Sequence, residues 1–259
     1  MDSFALDGRF ADADRFPVAR DIKSGLEKGG LHQDQLNPNL VICIGGDGSL
    51  LKSLNTRGYS GNYLLVNGGT LGFMGEYRIG EAQRVVYDVL NSTPLLETHV
   101  PLVFQTGRGH RFYAANDVSL IAPIRAINFD ILINDERLSS VQGSGLVVAT
   151  ELGSTAFQLS LGGPVMLTRD DSFVFSLVAA LKNRVTHTCF DHAVLPKEDV
   201  LKIKIEQNSR LYKVATDGIE IHGIDGHEFS FYVSKAKRFN LVSYHQRSAV
   251  RRIAAAFGK

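Results

Sequence analysis

Cysteine is scarce: Cys43 and Cys189 are the only two in 259 residues. Two thiols so far apart do not suggest a zinc site, and they fit a reduced, cytoplasmic chain. An excess of charge is missing too. Lys and Arg number 28 and Asp and Glu 27, a net charge of +1. That balance gives no footprint for nucleic acid and no polybasic membrane anchor. No uninterrupted apolar stretch approaches the ~20 residues that cross a bilayer. Met1-Asp2-Ser3-Phe4 has neither the basic nor the apolar block of a secretion signal. Internal repeats and low-complexity segments are absent. What is present is 44% hydrophobic and 21% charged, ordinary for a globular protein. The length suits one large domain or two ordinary ones.

The pattern changes near residue 95. Before it, helices alternate with strands. Val18, Ile22 and Leu26 recur at helical spacing, and Gly29-Gly30 ends that helix. Leu40–Ile44 and Tyr63–Val66 read as parallel strands buried on both faces. Ile79, Ala82, Val86, Val89 and Leu90 mark a further amphipathic helix before Pro94. Phe4-Ala5-Leu6 is a weak opening strand for such a layer. After residue 95 short β-rich runs dominate: Val100–Thr106, Arg111–Ile121, Asn128–Ile133, Gly145–Ala149, Val200–Ile205, Leu211–Ala215 and Phe229–Val233. Asn134-Asp135 has hairpin-turn chemistry. Gln246–Phe257 is helical, with Val250, Ile253, Ala254 and Phe257 on one face. The expected architecture is an α/β N-terminal domain with an open parallel sheet over residues 1–95 and a larger β-rich domain over 96–243. A C-terminal helix over 244–259 would pack back on the first domain, and the site is expected at the domain interface.

The chemistry is concentrated in four motifs. Ile42-Cys43-Ile44 runs into Gly45-Gly46-Asp47-Gly48-Ser49, followed by a helix-like apolar segment. The glycines permit a tight turn and close backbone approach, and a helix start offers N–H groups to phosphate. Asp47 adds a carboxylate that can take a hydroxyl proton or help place Mg²⁺. Asn67-Gly68-Gly69-Thr70-Leu71-Gly72-Phe73-Met74-Gly75 follows the next strand, at the same sheet edge. Asn116-Asp117 is third. Gly153-Ser154-Thr155-Ala156-Phe157 with Leu161-Gly162-Gly163-Pro164 is fourth, bringing hydroxyls that suit ribose or phosphate oxygens.

In this order and spacing the motifs resemble those of the NAD kinases, over roughly residues 35–257. Asn183-Arg184-Val185 and Leu195-Pro196 are similar to Gram-positive members. The resemblance implies transfer of a phosphoryl group from ATP or polyphosphate, with Mg²⁺, to the 2′-hydroxyl of the adenosine ribose of NAD. It also implies a homodimer or homotetramer. Asp47 would be catalytic. Gly45, Gly46 and Ser49 would hold phosphate. Gly48, Phe73, Asn116, Asp117, Ser144, Thr155, Ala156, Phe157, Ser160 and Ala179 would contact NAD, with Ala179 and Ser144 toward the nicotinamide. Asp217 and His222 fall where members place a late substrate contact. No metal ligand set is assigned.

Some positions depart from the family. Gly143-Ser144-Gly145 stands for Gly-Asp-Gly, whose Asp reaches the nicotinamide amide, often from a neighbouring subunit. Leu152 replaces a hydroxyl residue that would face substrate, Phe157 replaces Tyr, and Asp117 replaces Glu. These bear on the grip on the dinucleotide. Two alternatives stay open: a lipid or sugar kinase sharing the Gly-Gly-Asp-Gly loop, and a non-catalytic dinucleotide-binding protein. Ser154 or Thr155 also suits a helix N-cap. His187, His192, His222 and His227 lack metal-ligand spacing, and Arg247, Arg251 and Arg252 read as a solvated helix face.

Overall fold

The structure is a computed structural model that describes all residues except 71, 168–169, 183, 185–187, 189, 208–211, 225, 246–248 and 258–259. Leu71, Asn183, Val185, His187, Cys189, Leu211 and Arg247, singled out above, lie outside the described residues, as does the side chain of Arg251. Two compact units form: residues 1–99 with 237–259, and residues 100–236.

In the first unit the chain runs β1 (Ser3–Asp7), α1 (Pro17–Lys28), β2 (His32–Gln33), β3 (Leu40–Gly45), α2 (Asp47–Thr56), β4 (Gly61–Asn67), β5 (Tyr77–Arg78), α3 (Ala82–Asn91) and β6 (Leu95–His99). Helix α1 starts at Pro17, whose missing N–H costs nothing at a first turn, and Gly29 caps its end. Its buried stripe is Val18, Ala19, Ile22 and Leu26. It packs with α3 over Phe4, Leu40, Ile42, Ile44, Leu64 and Val66. Every residue of β3 is buried, as a parallel strand covered on both faces requires. Ile79 lies outside α3 and is exposed, so that helix begins at Ala82, later than its apolar spacing suggests.

The second unit holds β7 (Leu102–Thr106), β8 (Arg111–Ala114), β9 (Asp117–Ile121), β10 (Ile127–Ile133), β11 (Glu136–Gly143), β12 (Gly145–Thr150), a 3₁₀ turn at Leu152–Thr155, α4 (Phe157–Ser160), β13 (Phe173–Val178), β14 (His192–Leu195), β15 (Leu201–Ile205), β16 (Lys213–Thr216), β17 (Ile219–Ile221) and β18 (Glu228–Val233). They form two antiparallel sheets, ordered β11-β10-β15-β18-β7-β8 and β14-β13-β12-β9-β16-β17. One core lies between the sheets, with Phe104, Phe129, Phe229 and Phe231 from the first and Val118, Leu146, Phe173 and Phe175 from the second. Asn134 and Asp135 turn β10 into β11 with φ of 51° and 70°, the left-handed pair a two-residue hairpin needs. The run Arg111–Ile121 breaks at Ala115-Asn116 into two strands that belong to different sheets.

The chain then returns to the first unit as β19 (Phe239–Ser243) and α5 (Ala249–Phe257). The first sheet is ordered β2-β1-β3-β4-β19-β6, with β5 also on β4. It is parallel apart from β6, which runs antiparallel to β19. Residues 239–243 therefore leave the β-rich domain in which the sequence reading placed them. No described helix is long and apolar enough to cross a membrane.

Candidate active site

Strand β3 ends at Gly45, and Gly46 caps α2 in extended geometry (φ −88°, ψ −178°). Asp47 is thus the first residue of the helix. A Cβ on Gly45 would sit 2.2 Å from Ser49 Oγ, so only glycine allows the helix to start there. The neighbouring strand β4, paired Gly45 to Asn67, carries the second glycine loop at the same sheet edge. The two loops are joined: Gly68 N–H donates to Gly45 O at 3.0 Å.

Asn67 organises the second loop. Its Oδ1 accepts from Gly69 N–H at 2.8 Å. A Cβ on Gly72 would fall 1.8 Å from Asn67 Nδ2, and one on Gly75 2.9 Å from Asn67 Cβ. The loop therefore wraps a polar side chain, with Gly72 at φ +59°. That wrapping aims two consecutive N–H groups at Asp47. Phe73 N–H donates to Oδ2 and Met74 N–H to Oδ1, each at 3.0 Å. The half-buried carboxylate is fixed by the backbone while further lone-pair positions stay open.

A cleft of about 480 Å³ opens beside the start of α2, lined by Asp7, whose charge is paired with Arg57, and by Gly8, Arg9, Gly48, Ser49, Lys52, Ser53 and Thr56. A helix start flanked by two cationic side chains suits phosphate oxygens. Sequence reasoning missed Arg9 and Lys52, because neither lies within a motif.

Phe73 has neighbours from the C-terminus. Its ring lies 6.5 Å from the Phe257 ring and 6.0 Å from the Arg252 guanidinium. Arg252 is not on a solvated face: its side chain is 9% exposed and pairs with Glu97. Val250, Ala254 and Phe257, expected on the apolar face, are exposed. The helix buries a charge because β6 supplies a carboxylate to meet it.

In the second unit Asn116 and Asp117 lie at the break between β8 and β9. The Asp217 carboxylate, in the β16–β17 turn, accepts N–H groups from Ala115 (2.8 Å), Asn116 (2.7 Å) and Asp117 (3.3 Å). Thr150 Oγ donates to Ala115 O at 2.6 Å, and its own N–H donates to Asn116 O at 2.9 Å. Gly153 presses on the same residue, since a Cβ there would meet Asn116 O at 2.0 Å. Asn116 is thereby held buried, with its Oδ1 unpartnered. Burial pushes the Asp117 carboxyl up to about 7, and the nearby Asp217 charge adds to the shift. Asp217-Gly218 carries the φ > 0 pair of a hairpin turn, which is the signal that locates it in sequence.

A model of the ATP-NAD kinase C-terminal domain matches residues 116–243. The NAD kinase of Leuconostoc mesenteroides is 29% identical over 249 residues, covering 93% of this chain and 92% of the relative. That of Streptococcus pneumoniae (strain Hungary19A-6) is 30% identical over 195 residues, covering 72% and 71%. The chain belongs to the NAD kinase family. Among solved structures, yeast NADH kinase complexed with NADH matches with a TM-score of 0.80 at 18% identity, over 98% of this chain and 86% of that one. An NAD kinase from Archaeoglobus fulgidus in complex with ATP matches with a TM-score of 0.77 at 16% identity, over 98% and 99%. Both share the fold of this NAD kinase family member.

The departures from the NAD kinase pattern take on structural meaning. Ser144 links β11 to β12, with its N–H donating to Val178 O at 2.8 Å. This brings it beside Ala179, exposed and left-handed at φ 47°. Gly145 is demanded by the fold, since its φ is +130° and a Cβ would lie 1.9 Å from Leu120 O. Leu152, expected where a hydroxyl faces substrate, is buried in its own turn. Ser154 Oγ is fully buried, donating to Glu151 O (2.6 Å) and accepting from Met166 N–H (3.0 Å), so it is neither a helix cap nor open to a ligand. Ala156 occupies the N-cap of α4, which has no side-chain cap. Thr155 and Ser160 hydroxyls bond Leu152 O and Phe157 O, and Phe157 is exposed.

Proposed function

We propose that this protein is an NAD kinase that transfers a phosphoryl group from ATP or polyphosphate to the 2′-hydroxyl of the adenosine ribose of NAD. The observation that carries the reading is Asp47, pinned by the Phe73 and Met74 N–H groups where two glycine loops meet. The ribose oxygen attacks phosphorus, the bond to the leaving phosphate breaks, and Asp47 accepts the hydroxyl proton. Positioning is the larger share of such catalysis, because a carboxylate is a weak base at neutral pH.

Gly45, Gly46, Gly48 and Ser49 hold phosphate oxygens in this reading. Asn116 offers its unpartnered carbonyl oxygen to the adenine amino group or the ribose, and Asp117 accepts ribose hydroxyls. Phe73 packs near the adenosine. Thr155, Ala156, Phe157 and Ser160 line the dinucleotide pocket, and Ser144 and Ala179 lie toward the nicotinamide. Mg²⁺ fits here in the manner of sites that bind it through one carboxylate and substrate phosphates, with Asp47 as the carboxylate. When bound it would neutralise charge on the phosphates. No cluster of three His, Cys, Asp or Glu able to hold a metal exists among the described residues. The cytoplasm and a homo-oligomeric state complete the reading.

The test is NADP formation from NAD, ATP and Mg²⁺ with purified protein, repeated with NADH and with polyphosphate. NADP formation that depends on Asp47 supports the reading. Binding of NAD without turnover of any donor would leave a dinucleotide-binding protein instead.

A further inference from the structure

We infer that Arg252 is a positioning residue for Asp47, acting through Phe73 from the C-terminal helix. The inference rests on the kinase reading for its rate effect, while its structural part stands alone.

The contacts form a short chain within the first unit. Arg252 donates two hydrogen bonds to Glu97 on β6, at 2.7 and 2.9 Å. This paired, planar geometry fixes the guanidinium far better than a single bond. Its charge lies over the Phe73 ring at 6.0 Å, and the Phe257 ring meets Phe73 from the same helix at 6.5 Å. Phe73 is the residue whose N–H holds Asp47 Oδ2, and Met74 beside it holds Oδ1. One residue thus connects the helix to the carboxylate.

A purely structural role, tying α5 to β6, would need the Glu97 pair alone. Two further observations point beyond it. The Nε–H of Arg252 is buried and unpartnered, so this placement does not maximise hydrogen bonds. The guanidinium instead meets the one aromatic ring of the catalytic loop. Asn67 orders the glycine-rich loop from within, through its bond to Gly69 N–H, and packing on Phe73 adds a hold from outside on the segment that carries the two N–H groups. A misplacement of about 1 Å at a reacting group can cost a hundredfold in rate.

The experiment follows amide hydrogen exchange at Phe73 and Met74 in ligand-free full-length protein, beside steady-state kinetics with NAD, ATP and Mg²⁺. Arg252→Ala is expected to speed exchange at these two amides at least tenfold and to lower kcat roughly ten- to a hundredfold, with KM for ATP within twofold. Arg252→Lys keeps a cation over the ring and one bond to Glu97, and restores part of both. Glu97→Gln shifts both in the same direction as Arg252→Ala, more weakly. Val250→Ala, exposed on the same helix, leaves both unchanged. Unaltered exchange at 73–74 in Arg252→Ala overturns the inference, as does a lower melting temperature with kcat intact. If Arg252→Ala does not fold, the Lys and Gln variants decide by the same two readings. If the wild type makes no NADP, the kinase reading fails while the exchange measurement still decides this one.

Discussion

Asp47 and Asp117 are carboxylates handled in opposite ways. Asp47 receives two backbone N–H bonds and stays half-exposed, whereas Asp117 is buried next to a second carboxylate. Asp47→Asn keeps the size of the side chain but turns an NH₂ toward one of the two backbone donors. We expect a folded protein, with kcat lower by roughly 10²–10⁴ and KM nearly unchanged. Near-normal kcat would remove Asp47 from the chemistry. For Asp117 the sign follows from its raised pKa of about 7. Below about pH 4 the group is neutral in both folded and unfolded chains. As pH rises through 7 the unfolded chain ionises first, and the fold progressively loses stability. Asp117→Asn removes that loss. The variant is expected to be more stable than wild type at pH 8 by on the order of 1 kcal/mol or more, with the advantage shrinking toward pH 4. Urea denaturation of both proteins at pH 5 and pH 8 measures this, and a pH-independent difference would contradict it.

The glycine loop between β4 and β5 shows how much an element depends on one backbone position. Gly72 combines φ +59° with no room for a Cβ against Asn67. Gly72→Ala is expected to cost roughly 1–3 kcal/mol and to displace Phe73 and Met74 from Asp47. Gly80→Ala, where a Cβ meets nothing within 4 Å, is the control and changes little. Thermal melts with kinetics on both variants test the pair. This loop was legible in sequence, because strand, glycine and asparagine follow one another locally. So were α1, β3 and the hairpin at Asn134-Asp135. The contacts that were not legible span the chain. Asp217 reaches Asn116 across 101 positions, and Arg252 reaches Glu97 across 155. Edge strands β6 and β14, short and partly exposed, lack the apolar alternation that reveals a strand. The residues missed at the site, Arg9 and Lys52, are cations outside any motif, and the contacts of Asp217 and Arg252 exist only after distant elements meet.

At the scale of the whole molecule, Ser144 is the residue that the family resemblance places across a subunit boundary. The protein is therefore expected to be a dimer or tetramer at micromolar concentration. Light scattering that finds a fully active 28.4 kDa species would refute this. The internal organisation makes a separate prediction. All strands of both antiparallel sheets and their shared core fall within residues 100–236. The first unit is discontinuous: β19 lies between β4 and β6, parallel to one and antiparallel to the other. Without residues 237–259, β6 has no partner in that sheet, and Phe73 loses Arg252 and Phe257. A fragment of residues 100–236 is therefore expected to fold alone, with cooperative unfolding and dispersed amide resonances. A fragment of residues 1–99 is expected to stay partly unfolded until a peptide of residues 237–259 is added, when strand order returns. The peptide supplies an internal strand, which completes hydrogen-bond ladders on both sides at once. If residues 1–99 fold cooperatively without it, β19 is an accessory to the first sheet and the fold does not depend on the chain's return.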